Sequence, residues 1–389
     1  MSTNQILKSY QPPLDKGLLD IYSDYLLTSV TYTTSTSLSN ALDGSISHDR
    51  ISRFLGGCYQ SNGDLYHIEY TSKDLWSLVK KTLREDELDD GIICIDDTVE
   101  EKQYTDENEV ICYHFDHTKG RSIKGVNMLS FLYLGKGLTI PIAFEIIKKP
   151  HIADKEIVDK QGNKKIIKTR KSDKTKHTMV QENINQIVQN QVKFKYVVMD
   201  IWFGCNETLE LIKKYKKCFV VPLKTNRQIA LSKRDQSSGN WVKLEGIEFK
   251  TDQPIEIWLN GLSFPVLLVK KIFTNEDGSI GIMYLITNDY SLKSTDEIYS
   301  VYQKRWKIEE FFKSLKSNLA FAKAPTKNTF TQINHFFCSI YTYFKTEILL
   351  KSTNFKNHFQ MKSHLLLKAL KSTMGELEDL RARGVGCER

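Results

Sequence analysis

From Gly91 the apolar positions fall into short runs, GIICIDDTV, VICYHFDH, VNMLSFLYLG and LTIPIAFEII, separated by Gly and Lys turn signals. Three to four strands are therefore predicted with no helix between them. HTMVQENINQIVQNQ (177–191) then reads as a helix, KYVVMDIWFG as a buried strand, NETLELIKKY as a helix with Asn206 as N-cap, and KCFVVPLKT as another strand. An antiparallel meander followed by alternating helices and strands implies a mixed α/β sheet. Strand character returns between about 226 and 289 in WVKLEGIEF, PIEIWLNG, SFPVLLVKKIFT and IGIMYLITND, the last preceded by the turn Asn275-Glu276-Asp277-Gly278. This stretch is a β-rich insertion.

The flanks are helical. Residues 1–90 contain an early break at Pro12 and Pro13 and close on the amphipathic WSLVKKTLRE. Within them SLSNAL, DGSIS and HDRISRFLGG have the cadence of helix, turn and second helix with Arg50 and Arg53 exposed, which fits a helix-turn-helix or two packed helices of a bundle. The tail beyond about Asn328 is again helical, and the last residues, GVGCER, read as a disordered end.

One helix, VYQKRWKIEEFFKSLKSNL (301–319), separates two faces. At about 100° per residue Tyr302, Arg305, Glu309 and Lys316 fall within an arc of roughly 60°, while Val301, Ile308, Phe311, Phe312 and Leu315 gather opposite. Glu310 lies about 100° round from Glu309 and leaves that arc. A phenol, two cations and one acid on one face are either a solvated row of ion pairs or part of a site, and a site needs carboxylates from elsewhere.

Charge sharpens the picture. The chain of 389 residues has a net charge of +8 and a pI near 8.9, which favours a polyanionic partner. Residues 147–176 hold eleven Lys or Arg against four acids, either a solvated, partly disordered loop or a loop that tracks phosphates. Seven scattered cysteines form no C-x-x-C pair, implying a reducing compartment. The start lacks the pattern of a signal peptide and no apolar run reaches eighteen residues, so a soluble intracellular protein with no membrane partner is expected.

Two places offer the missing carboxylates. Asp96 and Asp97 end one apolar strand, and Asp200 sits in KYVVMDIWFG before a glycine and a helix start, near the carboxyl ends of strands where open α/β sheets assemble sites. Three carboxylates among cations suit oxygen-liganded Mg²⁺ rather than zinc. His114 and His117, three apart with no cysteine partner, read as a polar strand end.

D-T after the first sheet strand, the acid of VVMDIWFG, the β-rich stretch and Y-x2-R-x3-E-x6-K ahead of a helical tail together resemble a bacterial insertion-sequence transposase of the DDE superfamily. The group it resembles most is the cut-and-paste group marked by that Y, R, E and K. The likeness spans about 91–320. It implies a ribonuclease H-like mixed sheet interrupted by a β-rich insertion. The chain then divides into a helical DNA-binding region (1–90), a first segment of the catalytic core (91–225), the insertion (226–290), a second core segment (291–325) and a helical C-terminal region (326–389).

The resemblance also implies a metal-binding and catalytic triad of Asp97, Asp200 and Glu309 holding Mg²⁺ or Mn²⁺ as a pair of ions. Strand alternation leaves Asp96 or Asp97 open, because both faces of GIICIDD are apolar. The family's first Asp commonly precedes Ser or Thr, so Asp97, before Thr98, is preferred and Asp96 is the reserve. Tyr302, Arg305 and Lys316 are implied to grip the terminal phosphate. The partners that the resemblance implies are the terminal inverted repeats of an element and target DNA, engaged by a homodimer in a synaptic complex, and the expected location is the nucleoid-associated cytoplasm of a bacterium. Trp241 and Trp258 are candidates for stacking an extruded base or, as the alternative, packing residues of a sheet. The competing functions are a catalytically silent transposase derivative that only binds DNA and a ribonuclease H-like nuclease.

Overall fold

The computed structural model describes residues 14–383 apart from 62–63, 117–118, 159–163, 248–252 and 276. Pro12, Pro13, His117, Glu276 and the final GVGCER lie outside the described residues.

Helices α1 (Lys16–Thr28), α2 (Ser35–Ala41) and α3 (His48–Leu55) are followed by strands β1 (Cys58–Ser61) and β2 (Asp64–His67) and by α4 (Ser72–Asp86). Six strands come next: β3 (Ile92–Glu101), β4 (Cys112–Asp116), β5 (Arg121–Leu134), β6 (Thr139–Ile146), β7 (His151–Val158) and β8 (Lys164–Lys171). Then α5 (Lys176–Gln189), β9 (Tyr196–Met199), α6 (Asn206–Lys214) and β10 (Cys218–Pro222) alternate. A further strand group holds β11 (Gln228–Ala230), the short α7 (Lys233–Ser238), β12 (Val242–Lys243), β13 (Ile255–Leu259), β14 (Pro265–Thr274) and β15 (Ile280–Thr287). The chain continues through α8 (Thr295–Gln303), α9 (Trp306–Asn318), α10 (Thr329–Lys351) and α11 (His358–Ala382).

These elements form two compact units, residues 76–310 and residues 1–75 with 311–389. The helices up to Leu75 and those from Phe311 onward thus fall in one unit.

The 76–310 unit is organised by one eleven-stranded mixed sheet. Its centre runs β6, β5, β3, β9, β10: the first three strands pair antiparallel, and β9 lies parallel to both β3 and β10. Such a mixed sheet, with helices between its parallel strands, is consistent with a ribonuclease H-like arrangement. Ile93, Cys94 and Ile95 of β3 are buried, as expected of a central strand covered on both faces. β15 pairs antiparallel with β10, and β14, β13, β11 and β12 carry the sheet onward. The β-rich stretch therefore extends the main sheet instead of forming a sheet of its own. Asn206 opens α6 but does not cap it. Cys205 is the N-cap, without a side-chain bond, and the Asn206 amide donates to the Asn260 carbonyl (3.1 Å) and accepts from Arg227 (2.7 Å).

Within the 147–176 stretch, for which a loop is expected, residues 151–158 and 164–171 pair as an antiparallel two-stranded ribbon, β7 with β8, outside the main sheet.

In the other unit the long α10 is the core, with Phe336, Phe337, Cys338 and Ile340 fully buried. Asn334, also buried, donates to the Leu55 and Ile68 carbonyls and accepts from the Tyr70 amide, closing the backbone around the β1–β2 hairpin. Truncating it would leave those groups unsatisfied at about 1–3 kcal/mol each. Gly57 sits there at φ +60°, where a Cβ would stand 2.0 Å from the Ile68 carbonyl oxygen. Only glycine fits. Helices α2 and α3, the pair with helix-turn-helix cadence, pack on each other, and α3 also packs on α10. No helix among the described residues is long and apolar enough to cross a membrane.

Candidate active site

The site begins with the register of β3 against β9. Ile92–Ile95 pair in parallel with Tyr196–Met199, so one further step sets Asp96 beside Asp200. Residues opposite one another in a sheet share a face and consecutive residues alternate, which puts Asp96 and Asp200 on one side and Asp97 on the other. The hydrogen bonds agree. Asp96 Oδ2 accepts from Arg305 Nη1 at 2.6 Å, whereas Asp97 Oδ2 accepts from Lys176 Nζ at 2.7 Å and from Asn127 Nδ2 at 2.9 Å. The reserve acid, not the preferred one, faces the arginine.

The second component is the stretch expected as a single helix, 301–319. It is interrupted. α8 starts at the cap of Ser294, whose hydroxyl accepts from the Glu297 amide (3.2 Å), and ends at Gln303; α9 starts at Trp306. Across the junction the bonds tighten to i→i−3: Lys304 N to Val301 O (3.2 Å), Arg305 N to Tyr302 O (2.9 Å) and Ile308 N to Arg305 O (3.0 Å). That is 3₁₀ geometry, in which residues three apart eclipse. Accordingly the Arg305 guanidinium lies 5.9 Å from the centre of the Tyr302 ring. The buried Cys94 thiol of β3 donates to the Lys304 carbonyl (3.6 Å), tying the junction to the strand. One helical turn onward Glu309 Oε1 accepts from the same Arg305 Nη1 at 3.3 Å. Glu310 points elsewhere and pairs with Lys307 at 2.7 Å. Ile308, Phe311, Phe312 and Leu315 are buried as the periodicity predicts, while Val301 is only half-buried.

One guanidinium nitrogen thus spans two carboxylates, Asp96 and Glu309, with a third, Asp200, in register beside Asp96. Burial pushes the Asp96 carboxyl up to about 7, Arg305 opposes the rise, and the charges of Asp97 and Asp200 add to it. Burial also works against the Arg305 charge, but Tyr302, Asp96, Glu309 and Asp200 outweigh it and hold the guanidinium above its ordinary range. The Tyr302 phenol is driven to about 12, chiefly by burial, and so remains a hydrogen-bond donor at neutral pH.

As positioned, no three His, Cys, Asp or Glu side chains among the described residues converge tightly enough to enclose a metal ion. The donor chemistry nevertheless fits a hard divalent cation: the Asp96 and Glu309 carboxylates share one guanidinium, and Asp200 stands in register beside Asp96. Lys316 lies in the last turn of α9, beyond the unit boundary at Phe311, and is half-buried. Trp241 and Trp258 are half-buried. His114 is buried 3.3 Å from the Cys112 thiol, and burial lowers it to about 3, keeping it neutral.

Three residues beside the site carry no signal in the sequence that singles them out. Lys176 and Asn127 hold Asp97, and Trp202, 39 % exposed, stacks on His177 with the Lys176 ammonium 5.5 Å from its ring. Lys176 is visible only as the last member of a basic run; nothing local marks it as the partner of an acid 79 residues away.

Comparison with known families accords with this geometry. A model described as DDE superfamily endonuclease matches residues 16–239, and one described as transposase DDE domain matches residues 161–340. The first range contains Asp96, Asp97 and Asp200, the second Asp200 and the whole Tyr302–Lys316 stretch. No curated protein matches the chain in sequence. With more than half of its length matched by the first model, this chain belongs to the DDE superfamily of endonucleases and transposases.

Proposed function

We propose that this chain is a divalent-metal-dependent DNA transposase of the cut-and-paste kind, with Asp96, Asp200 and Glu309 as its metal-holding acids. The observation that carries this reading is the single Arg305 nitrogen shared by Asp96 and Glu309, a point where two carboxylates already demand positive charge. Asp96 replaces Asp97 as the first acid because it shares a face with Asp200. When bound, a pair of Mg²⁺ or Mn²⁺ ions would supply activation of the attacking oxygen and stabilisation of the leaving one.

The chain's own groups do the rest. Arg305 pairs with Asp96 and Glu309 and, once a phosphodiester is present, offers it a two-pronged donor. Tyr302, kept protonated, donates to a phosphate oxygen, and Lys316, on the later part of the same helix, is the further phosphate-binding cation that the resemblance implies. The reaction begins with attack by water at the element's end and releases a 3′-OH. That hydroxyl attacks the opposite strand to give a hairpin, which is reopened and joined to target DNA. Two ends cut in concert require two copies of the chain, hence a homodimer on the terminal inverted repeats.

The test is to mix purified protein with Mg²⁺ and DNA carrying the repeats that flank its gene. Double-strand breaks at the repeat ends are expected, lost in Asp200→Asn and Glu309→Gln while both still bind. Binding by the wild-type protein with no cleavage would identify a silent derivative, and cleavage without end specificity a nuclease.

A further inference from the structure

The basic stretch of 147–176 takes no part in the acid cluster, its Lys176 holding Asp97 on the opposite face of β3, and its shape invites a separate assignment. β7 and β8 pair over eight residues each, His151 with Lys171 through Val158 with Lys164. At about 3.3 Å per residue the ribbon extends roughly 26 Å. β8, KKIIKTRK, holds five cations and no acid. Alternation sends Lys164, Lys168 and Arg170 to one face, where Lys164 pairs with Glu156 of β7 (2.7 Å) and Asp154 stands opposite Lys168, and sends Lys165 and Lys171 to the other; all four lysines are exposed.

The foot is fastened. Arg170 donates to the Lys149 carbonyl (3.3 Å) and pairs with Glu107 (3.4 Å), and His151 pairs with Asp173. Lys149 in turn donates to the Tyr113 carbonyl of β4 (2.6 Å). Five residues past the ribbon's end, Lys176 binds Asp97 on β3. A ribbon anchored at its base with cations on both faces differs from a strand edge guarded against aggregation, for which one or two charges suffice.

We propose that β7–β8 enters the major groove of duplex DNA, its two faces each gripping one of the phosphate backbones that wall the groove. The groove, about 12 Å wide, admits a two-stranded ribbon, and a phosphate rail on either side accounts for lysines pointing both ways. A ribbon lying flat on one backbone would need only one cationic face. This assignment rests on DNA being the substrate, as proposed above, and adds to it a contact remote from the acids.

The experiment measures binding of a fluorescein-labelled duplex of about 30 base pairs in EDTA across a salt series, with Lys164→Ala/Lys168→Ala, Lys165→Ala/Lys171→Ala and Glu309→Gln alongside wild type. Each lysine pair should reduce the slope of log K against log salt by about 1 to 2, and the Glu309 variant should keep the full slope. An effect from only one lysine pair would overturn groove entry, and an effect from neither would overturn the ribbon as a DNA contact. A slope that falls as expected in a protein that never cleaves DNA in Mg²⁺ would leave the ribbon standing and sink the proposed transposase activity instead. Absence of duplex binding by wild type would overturn both.

Discussion

Asp96 and Asp97 are neighbours on β3, yet their carboxylates face opposite sides of the sheet and meet opposite electrostatic conditions. Asp97 is balanced by one ammonium and one amide donor, Lys176 and Asn127. Asp96 shares the Arg305 guanidinium with Glu309 and feels the charge of Asp200 as well. The Asp97 side is complete as it stands. On the function proposed above, the Asp96 side is the one that would take a divalent ion, with Arg305 turned to a phosphate.

Removing an acid from the under-compensated face should have the largest effect. Glu309→Gln or Asp200→Asn should lower DNA cleavage by about 100- to 1,000-fold or more, read as product formed per unit time in Mg²⁺. On the opposite face the loss should be of stability. Lys176→Met leaves the largely buried Asp97 without its cation and should cost about 1–3 kcal/mol in urea denaturation.

The two faces should also differ in their response to pH. Asp96 has a folded-state value near 7, above its ordinary 3.8, so between those values the folded protein binds more protons than the unfolded one. Stability in metal-free buffer should therefore decrease as pH rises from about 4 to 7, and Asp96→Asn should flatten that decrease. An unchanged slope in thermal melts would remove Asp96 as its source. The smallest effect is expected from Glu310→Gln, since Glu310 makes only an exposed pair with Lys307; cleavage should change less than about twofold and stability by under about 0.5 kcal/mol.

Much of the sheet is legible from local pattern, because runs such as KYVVMDIWFG and LTIPIAFEII are apolar for as long as a buried strand needs. The grouping of Tyr302, Arg305 and Glu309 is legible too, from spacing. The face of β3 is not: Ile93, Cys94 and Ile95 are buried on both sides, so alternation carries no polar signal and only the pairing with β9, about a hundred residues away, decides it. Nor does YQKRW contain the proline or glycine that usually announces a helix break; its i→i−3 turn accompanies the contact of Lys304 with Cys94. The β7–β8 ribbon is masked by its own lysines. HIADKEIV and KKIIKTRK carry β-branched residues on either side of a Gly-Asn dipeptide, but their charge density suggests a solvated loop.

The most direct measurement compares Asp96→Asn with Asp97→Asn in parallel, on one DNA substrate at one Mg²⁺ concentration, with folding of both checked by thermal melt. The expected result is cleavage lost by about 100-fold or more in the Asp96 variant and reduced less than about tenfold in the Asp97 variant. Equal losses, or a larger loss in Asp97→Asn, would contradict the division of β3 into a charge-complete face and a catalytic one.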